Sequence, residues 1–232
     1  MTTSLRVTQR PTAPPQAASV AGRTLLTLVA LLAWFAVLLQ LWLSAQLARR
    51  AGGSALGGMA QALCYFTVLT NLLVAVLSTA QLRGAPWLQQ RRGVLAACAV
   101  YILVVGVIYA LLLRATWVPS GLQKLADVLL HDVVPLGYVL WWLGYAPKVA
   151  LRWKSALWWL GYPLVYFGFA VLLGALSGRY LYPFADLSRL GVALLARNAA
   201  LLLAFFYLLS LAAIGLARRS VRRPWPAPPE TA

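Results

Sequence analysis

The chain contains one histidine, His131, and it lies inside the apolar segment "ADVLLHDVVPLGYVLWW" (126–142). Asp127 precedes it by four residues, which places both side chains on one face of a helix. A carboxylate in that position can accept a hydrogen bond from one ring nitrogen and leave the other nitrogen free to act as a base. The spacing therefore predicts a catalytic pair, with His131 as general base and Asp127 as the group that orients it.

A nucleophile for such a base occurs in a second apolar segment, "CYFTVLTNLLVA" (64–75). Thr67 and Asn71 are four residues apart and share a helix face. We expect Thr67 to be the nucleophile, with Thr70 as the competing candidate, and Asn71 to stabilise an oxyanion. The structural alternative is that each threonine bonds only the carbonyl four residues before it.

A third polar group occurs in "ALLARNAALLL", which contains Arg197 and Asn198. Asp132 follows His131 and points about 100° away from it around the helix, so it needs a partner of its own. Because an ionised group in hydrocarbon is costly without a counter-charge, the sequence predicts an Asp132–Arg197 ion pair. We expect Asp132, Arg197 and Asn198 to line the pocket, and Arg197 to be a second candidate for oxyanion stabilisation.

The elements that hold these residues must cross a membrane. The chain has 232 residues, 62% of them hydrophobic, with 20 Lys and Arg against 4 Asp and Glu. Six apolar runs reach the length of about 20 residues that a span requires. The sequence therefore predicts an all-α bundle of six transmembrane helices, at Thr24–Leu47, Ala60–Leu82, Val94–Leu113, Leu122–Leu143, Ala156–Leu176 and Leu190–Leu216.

The flanks of this six-helix domain (24–216) are polar and proline-rich. We expect residues 1–23 to form a disordered N-terminal tail and residues 217–232 a basic, proline-rich C-terminal tail. With both tails on one side, thirteen Lys and Arg lie on that side and six on the other. The positive-inside rule then predicts that both termini are cytoplasmic. Thr67, His131 and Arg197 would lie at one depth, roughly 10–14 Å below the outer surface, in a single polar chamber.

Several chemistries are excluded by residue type. The basic residues lie in short loops between apolar runs, so we expect no nucleic-acid partner. One histidine and two distant cysteines cannot build a usual zinc site, and neither a phosphate-binding glycine loop nor a GxSxG elbow occurs. We expect neither a metal nor a cofactor. Pro135 is expected to open the helix beside His131, while tyrosines such as Tyr162 and Tyr166 are expected to pack or face lipid.

Three motifs give the chain a resemblance to a known family. These are "YFTVLTN" (65–71), "LLHDVVP" (129–135) and "YLYPFADL" (180–187). Together with six predicted spans, they resemble the androgen-induced family of membrane proteins, which includes the androgen-dependent regulator of tissue factor pathway inhibitor, and especially its bacterial branch. The likeness extends from about Leu25 to Leu216 and implies a location in a bacterial cell membrane.

The resemblance implies an activity. Animal members are intramembrane threonine hydrolases that cleave fatty acid esters of hydroxy fatty acids, and their threonine and histidine correspond to Thr67 and His131. The partner would be a membrane lipid or lipid ester. Two other functions stay open: a lipid-binding bundle without enzymatic activity, and a small transporter or proton relay. No polar set continues toward the cytoplasmic ends of spans two and four, which disfavours a transport path.

Overall fold

The computed structural model describes residues 19–222, and these residues form helices and connecting turns without any strand. An all-α fold is therefore confirmed. The main helices are α1 Val20–Arg50, α2 Ala55–Leu63, α3 Phe66–Leu82, α4 Pro86–Gln90, α5 Gly93–Thr116, α6 Gly121–Gly144, α7 Ser155–Ser177 and α8 Leu187–Arg222. Helix α8 has a kink at Gly191, whose backbone is not helical (φ 69°).

Five of these helices, α1, α5, α6, α7 and α8, are long and apolar enough to cross a membrane, and the pair α2 and α3 makes a sixth span if counted together. The chain is thus a multi-pass helical membrane protein. The largest differences from the predicted span ends are at three places: α1 begins at Val20, where the Ser19 hydroxyl accepts from the Gly22 amide, α2 begins at Ala55, and α8 continues beyond Leu216. The predicted tails otherwise lie outside the described residues.

The second span is broken, whereas the sequence predicted one continuous helix from Ala60 to Leu82. Helices α2 and α3 meet at an angle of 82°. The break leaves backbone groups without helical partners, which must be satisfied within the protein in an apolar environment. Tyr166 satisfies two of them: its hydroxyl donates to the Cys64 carbonyl at 2.8 Å and accepts from the Phe66 amide at 2.9 Å. Tyr182 accepts from the same amide at 3.1 Å.

The core lies where α1, α3, α5 and α6 pack together. Small residues permit this close packing: Ala33 and Ala36 of α1 are fully buried, as are Val74 and Ala75 of α3. Helices α7 and α8 lie outside this group, since only 17% and 22% of the residues in their apolar stretches are buried within the protein. The polar residues of α3 and α6 are therefore fixed by the tightly packed half of the bundle.

Helix α6 contains a π-helical turn, Leu129–Val133, directly before Pro135. Proline has no N–H to donate, so it cannot close the turns that end at the Leu130 and His131 carbonyls. The side chain of Asn71 donates to the Leu130 carbonyl instead, at 3.0 Å. The prediction that Pro135 opens the helix beside His131 is confirmed. Gly106 of α5 lies against this opening, where a β-carbon would be 3.0 Å from the His131 carbonyl oxygen.

Candidate active site

The structure brings His131 and Asp127 together as their spacing predicts. His131 Nδ1 lies 3.1 Å from Asp127 Oδ1 and 3.0 Å from the Asp127 carbonyl oxygen. The side chains are 13% and 8% exposed. Because both neighbours of Nδ1 are acceptors, Nδ1 carries the proton in the neutral imidazole. His131 Nε2 is then the basic nitrogen, as a general base requires.

Tyr109 of α5 completes this pair and was not predicted. Its hydroxyl donates to Asp127 Oδ2 at 2.5 Å, whereas Oδ1, 3.1 Å from His131 Nδ1, is buried without a hydrogen bond from the described residues. Its ring stacks on the imidazole, with centroids 3.7 Å apart and planes 13° from parallel. Tyr109 begins a π-helical turn, Tyr109–Leu113, that faces the turn in α6. Tyr109, Asp127 and His131 thus form one cluster of hydrogen-bonded and stacked side chains between α5 and α6.

The predicted ion pair between Asp132 and Arg197 is wrong. Asp132 pairs with Arg114, whose Nη2 lies 2.5 Å from Asp132 Oδ1, and these side chains are 40% and 50% exposed. Arg114 follows the π-helical turn of α5, whereas Arg197 is exposed on the outer helix α8. The Arg114 guanidinium also lies 5.1 Å from the centre of the Tyr109 ring. The counter-charge thus comes from the neighbouring helix in the core.

Thr67 lies in the first turn of α3, at the break in the second span. Its amide and that of Val68 have no acceptor among the described residues, as is usual at the start of a helix. The Thr67 side chain faces an apolar cavity of about 60 Å³, several times the volume that one water needs. The cavity is bounded by α3, α5, α7, α8 and the 180–187 segment, with walls that include Phe66, Thr67, Tyr109, Tyr166, Tyr182 and Phe206.

Thr67 and His131 are not bonded to each other within the described chain. Tyr109 is common to both places, because it lines the Thr67 cavity and its ring stacks on His131.

The two other predicted site residues of α3, Asn71 and Thr70, have structural partners. Asn71 is fully buried, and its amide nitrogen donates to the carbonyls of Thr67 and Leu130 at 2.9 and 3.0 Å. These bonds occupy both amide hydrogens, so the expected oxyanion role of Asn71 does not fit its geometry. Thr70 is also fully buried and bonds the Tyr162 hydroxyl at 3.2 Å.

The single polar chamber predicted across three helices is also wrong in one part. Arg197 makes only a long contact with Asn198, 3.4 Å between Arg197 Nη2 and Asn198 Oδ1. Asn198 donates to the Phe184 carbonyl at 3.0 Å and so anchors the segment before α8. Neither residue lies with the His131 cluster. Helix α8 contributes apolar cavity wall rather than a charged group.

Little in the sequence indicates that three tyrosines form the hydrogen bonds of this site and of the broken span. Tyr109, Tyr166 and Tyr182 each lie in apolar or loop segments where aromatic residues are common. Only the paired π-helical turns and the broken span, which are features of the backbone, bring their hydroxyls to hydrogen-bonding partners. Tyr162 and Tyr166 pack against Phe66, as expected, and in addition form the hydrogen bonds described above, which were not expected.

Comparisons of the chain with models of protein families, with curated proteins and with solved structures find no match.

Proposed function

We propose that this protein is an intramembrane hydrolase of lipid esters, a member of the androgen-induced family, with Thr67 as nucleophile and His131 as base. One observation carries this proposal: an imidazole whose Nδ1 faces Asp127 stacks on Tyr109, and Tyr109 also lines an apolar cavity with Thr67, a threonine at a helix start. An ester with long alkyl chains could remain in hydrocarbon while its carbonyl reaches Thr67.

Each residue has a role in the proposed reaction. His131 Nε2 removes the Thr67 proton through a bridging water or after Tyr109 shifts, and the threonine oxygen attacks the ester carbonyl. The alcohol leaves with a proton from His131, and water then hydrolyses the acyl-threonine. Asp127, held by Tyr109, orients the imidazole. The free amides of Thr67 and Val68 replace Asn71 and Arg197 as donors to the oxyanion.

The location of the site within the membrane follows from the charge distribution. We place both termini in the cytoplasm of a bacterial cell, because thirteen of the Lys and Arg residues then lie inside. Thr67 and His131 would be in the outer half of the bilayer. This depth gives hydrolytic water a short path from the outer surface.

Fluorophosphonate labelling tests the proposed nucleophile. The purified protein in detergent is treated with the probe, and mass spectrometry identifies the modified residue in wild type, Thr67→Ala, Thr70→Ala and His131→Ala. We expect modification of Thr67 that requires His131 and persists in Thr70→Ala. Labelling of Thr70, or labelling of Thr67 that is unchanged in His131→Ala, contradicts the assigned roles.

One observation favours a second function, lipid binding without catalysis. Thr67 and His131 share no hydrogen bond within the described residues, and the walls of the cavity that Thr67 lines are mostly apolar and do not include His131. A bundle that only holds an acyl chain needs the cavity and not the base. Absence of labelling in folded wild-type protein that still retains a lipid ester would support this function.

A further inference from the structure

The charges of the protein are separated between the two ends of the bundle. The described acidic residues, Asp127, Asp132 and Asp186, lie in the first half of α6 or just before α8, and the three ion pairs are formed there. The end that contains the start of α1 and the last turn of α8 has many cations and, in residues 19–222, no carboxylate. Its positive charge must be balanced from outside the described chain.

Several of these cations gather around Leu151 and Trp153, in the connection between α6 and α7. Arg218 of α8 donates to the Leu151 carbonyl at 2.8 Å, and its guanidinium lies 5.5 Å from the Trp153 ring centre. On the other side, Gly93 approaches Leu151 so closely that a β-carbon would be 3.1 Å from Leu151 Cδ2. The connection therefore lies between the start of α5 and the end of α8.

This packing defines a basic rim, composed of Arg92, Arg152, Lys154, Arg218 and Arg219. Arg92 donates to Gln89 at 2.8 Å, but its Nε is buried and has no partner within the described residues. Arg152, Lys154 and Arg219 are exposed. The rim thus combines three side chains open to the membrane surface with one partly buried guanidinium that has a free donor.

Lys148, in the same connection, is excluded from the rim by its contacts. Its ammonium donates to the carbonyls of Trp142, Leu143 and Ala146 and so satisfies the end of α6. Burial lowers the pKa of Lys148 to about 8. A residue that caps a helix within the protein does not need an external anion, whereas the rim residues do.

We infer that the basic rim binds the phosphate of an anionic phospholipid, independently of any hydrolysis at Thr67. Arginine offers parallel N–H donors that match phosphate oxygens, and basic pockets between transmembrane helices are suited to anionic head groups. The exposed Trp153 beside Arg218 fits the interfacial depth at which head groups lie.

Native mass spectrometry of the full chain tests this inference. The protein in detergent is mixed with equal amounts of dioleoyl phosphatidylglycerol and dioleoyl phosphatidylcholine, and bound lipids are counted. The rim variant is Arg152→Gln/Lys154→Gln/Arg219→Gln. The matched control, Arg49→Gln/Arg50→Gln/Lys124→Gln, removes three exposed cations from the other end of the bundle.

We expect wild type and the control to prefer phosphatidylglycerol at least about tenfold, and the rim variant to lose this preference, since each basic side chain near an anionic surface contributes about fivefold. The single variants Arg152→Gln and Arg219→Gln should each lower the preference about fivefold and serve if the triple variant does not fold. Equal losses in the rim and control variants, or no preference in wild type, would overturn the inference and leave the cations with only a topological role.

Discussion

The ring of Tyr109 stacks on the imidazole of His131 at a centroid distance of 3.7 Å while its hydroxyl donates to Asp127. One residue of α5 thus covers a face of the histidine and binds the carboxylate that orients it. Gly106, one turn earlier, lets α5 approach the opened segment of α6. The orientation and tautomer of the His131 ring consequently depend on how α5 packs against α6.

The first prediction concerns the tautomer of neutral His131. Because Nδ1 faces two Asp127 oxygens, neutral His131 should carry its proton on Nδ1 and leave Nε2 bare. The chain has one histidine, so protein labelled with ¹⁵N-histidine gives a single pair of ring signals. Their chemical shifts at alkaline pH report the tautomer, and His131→Gln provides the blank. A dominant Nε2–H form would show that Asp127 does not orient the ring.

Tyr109→Phe should destabilise the protein by about 1.5–3 kcal/mol, the usual contribution of a hydrogen bond to a charged group. The variant keeps the ring that stacks on His131 and removes only the donor to Asp127. The free energy of unfolding would be measured by denaturant titration in mixed micelles. Tyr145→Phe is the control, since Tyr145 is 47% exposed. Equal stability of the two variants would mean that the Tyr109–Asp127 bond contributes nothing.

A double-mutant cycle should detect coupling between Arg114 and Asp132 and none between Arg197 and Asp132. The first pair is in contact but about half exposed, so we expect a coupling energy of only 0.2–1 kcal/mol, as for surface ion pairs. Arg114→Gln, Arg197→Gln and Asp132→Asn are combined, and unfolding is measured at low salt. Coupling of Asp132 to Arg197 instead would restore the partner that the sequence suggested.

The sequence predicted the fold well where long-range packing was not needed. Six apolar runs of span length identified the helices, and Pro135 marked the opening in α6, because these features depend on local composition. The spacing of Asp127 and His131 also predicted their contact, since residues four apart in a helix are neighbours.

The remaining features depend on helix rotation and on contacts between distant segments. The sequence predicted Arg197 as the cation that pairs with Asp132. Arg114 is the actual partner because α5 packs against α6. The break between α2 and α3 is equally difficult to predict from the sequence, because it is stabilised by the hydroxyl of Tyr166, which lies about 100 residues away in the chain. A one-dimensional apolar pattern contains no information on either choice.

Tyr166→Phe should loosen the broken span at Thr67, and Cys64 can report it. The variant removes the donor to the Cys64 carbonyl and one of the two acceptors of the Phe66 amide, so that only Tyr182 remains for that amide. Since leaving a buried backbone group unsatisfied costs about 1–3 kcal/mol, we expect Cys64 to react with a maleimide at least about fivefold faster. Cys98 is fully buried and should stay unreacted, and Cys64→Ala assigns the signal. Tyr162→Phe is the matched control, because its hydroxyl bonds Thr70 rather than the break. Similar rates in the two tyrosine variants would show that Tyr166 does not hold the break.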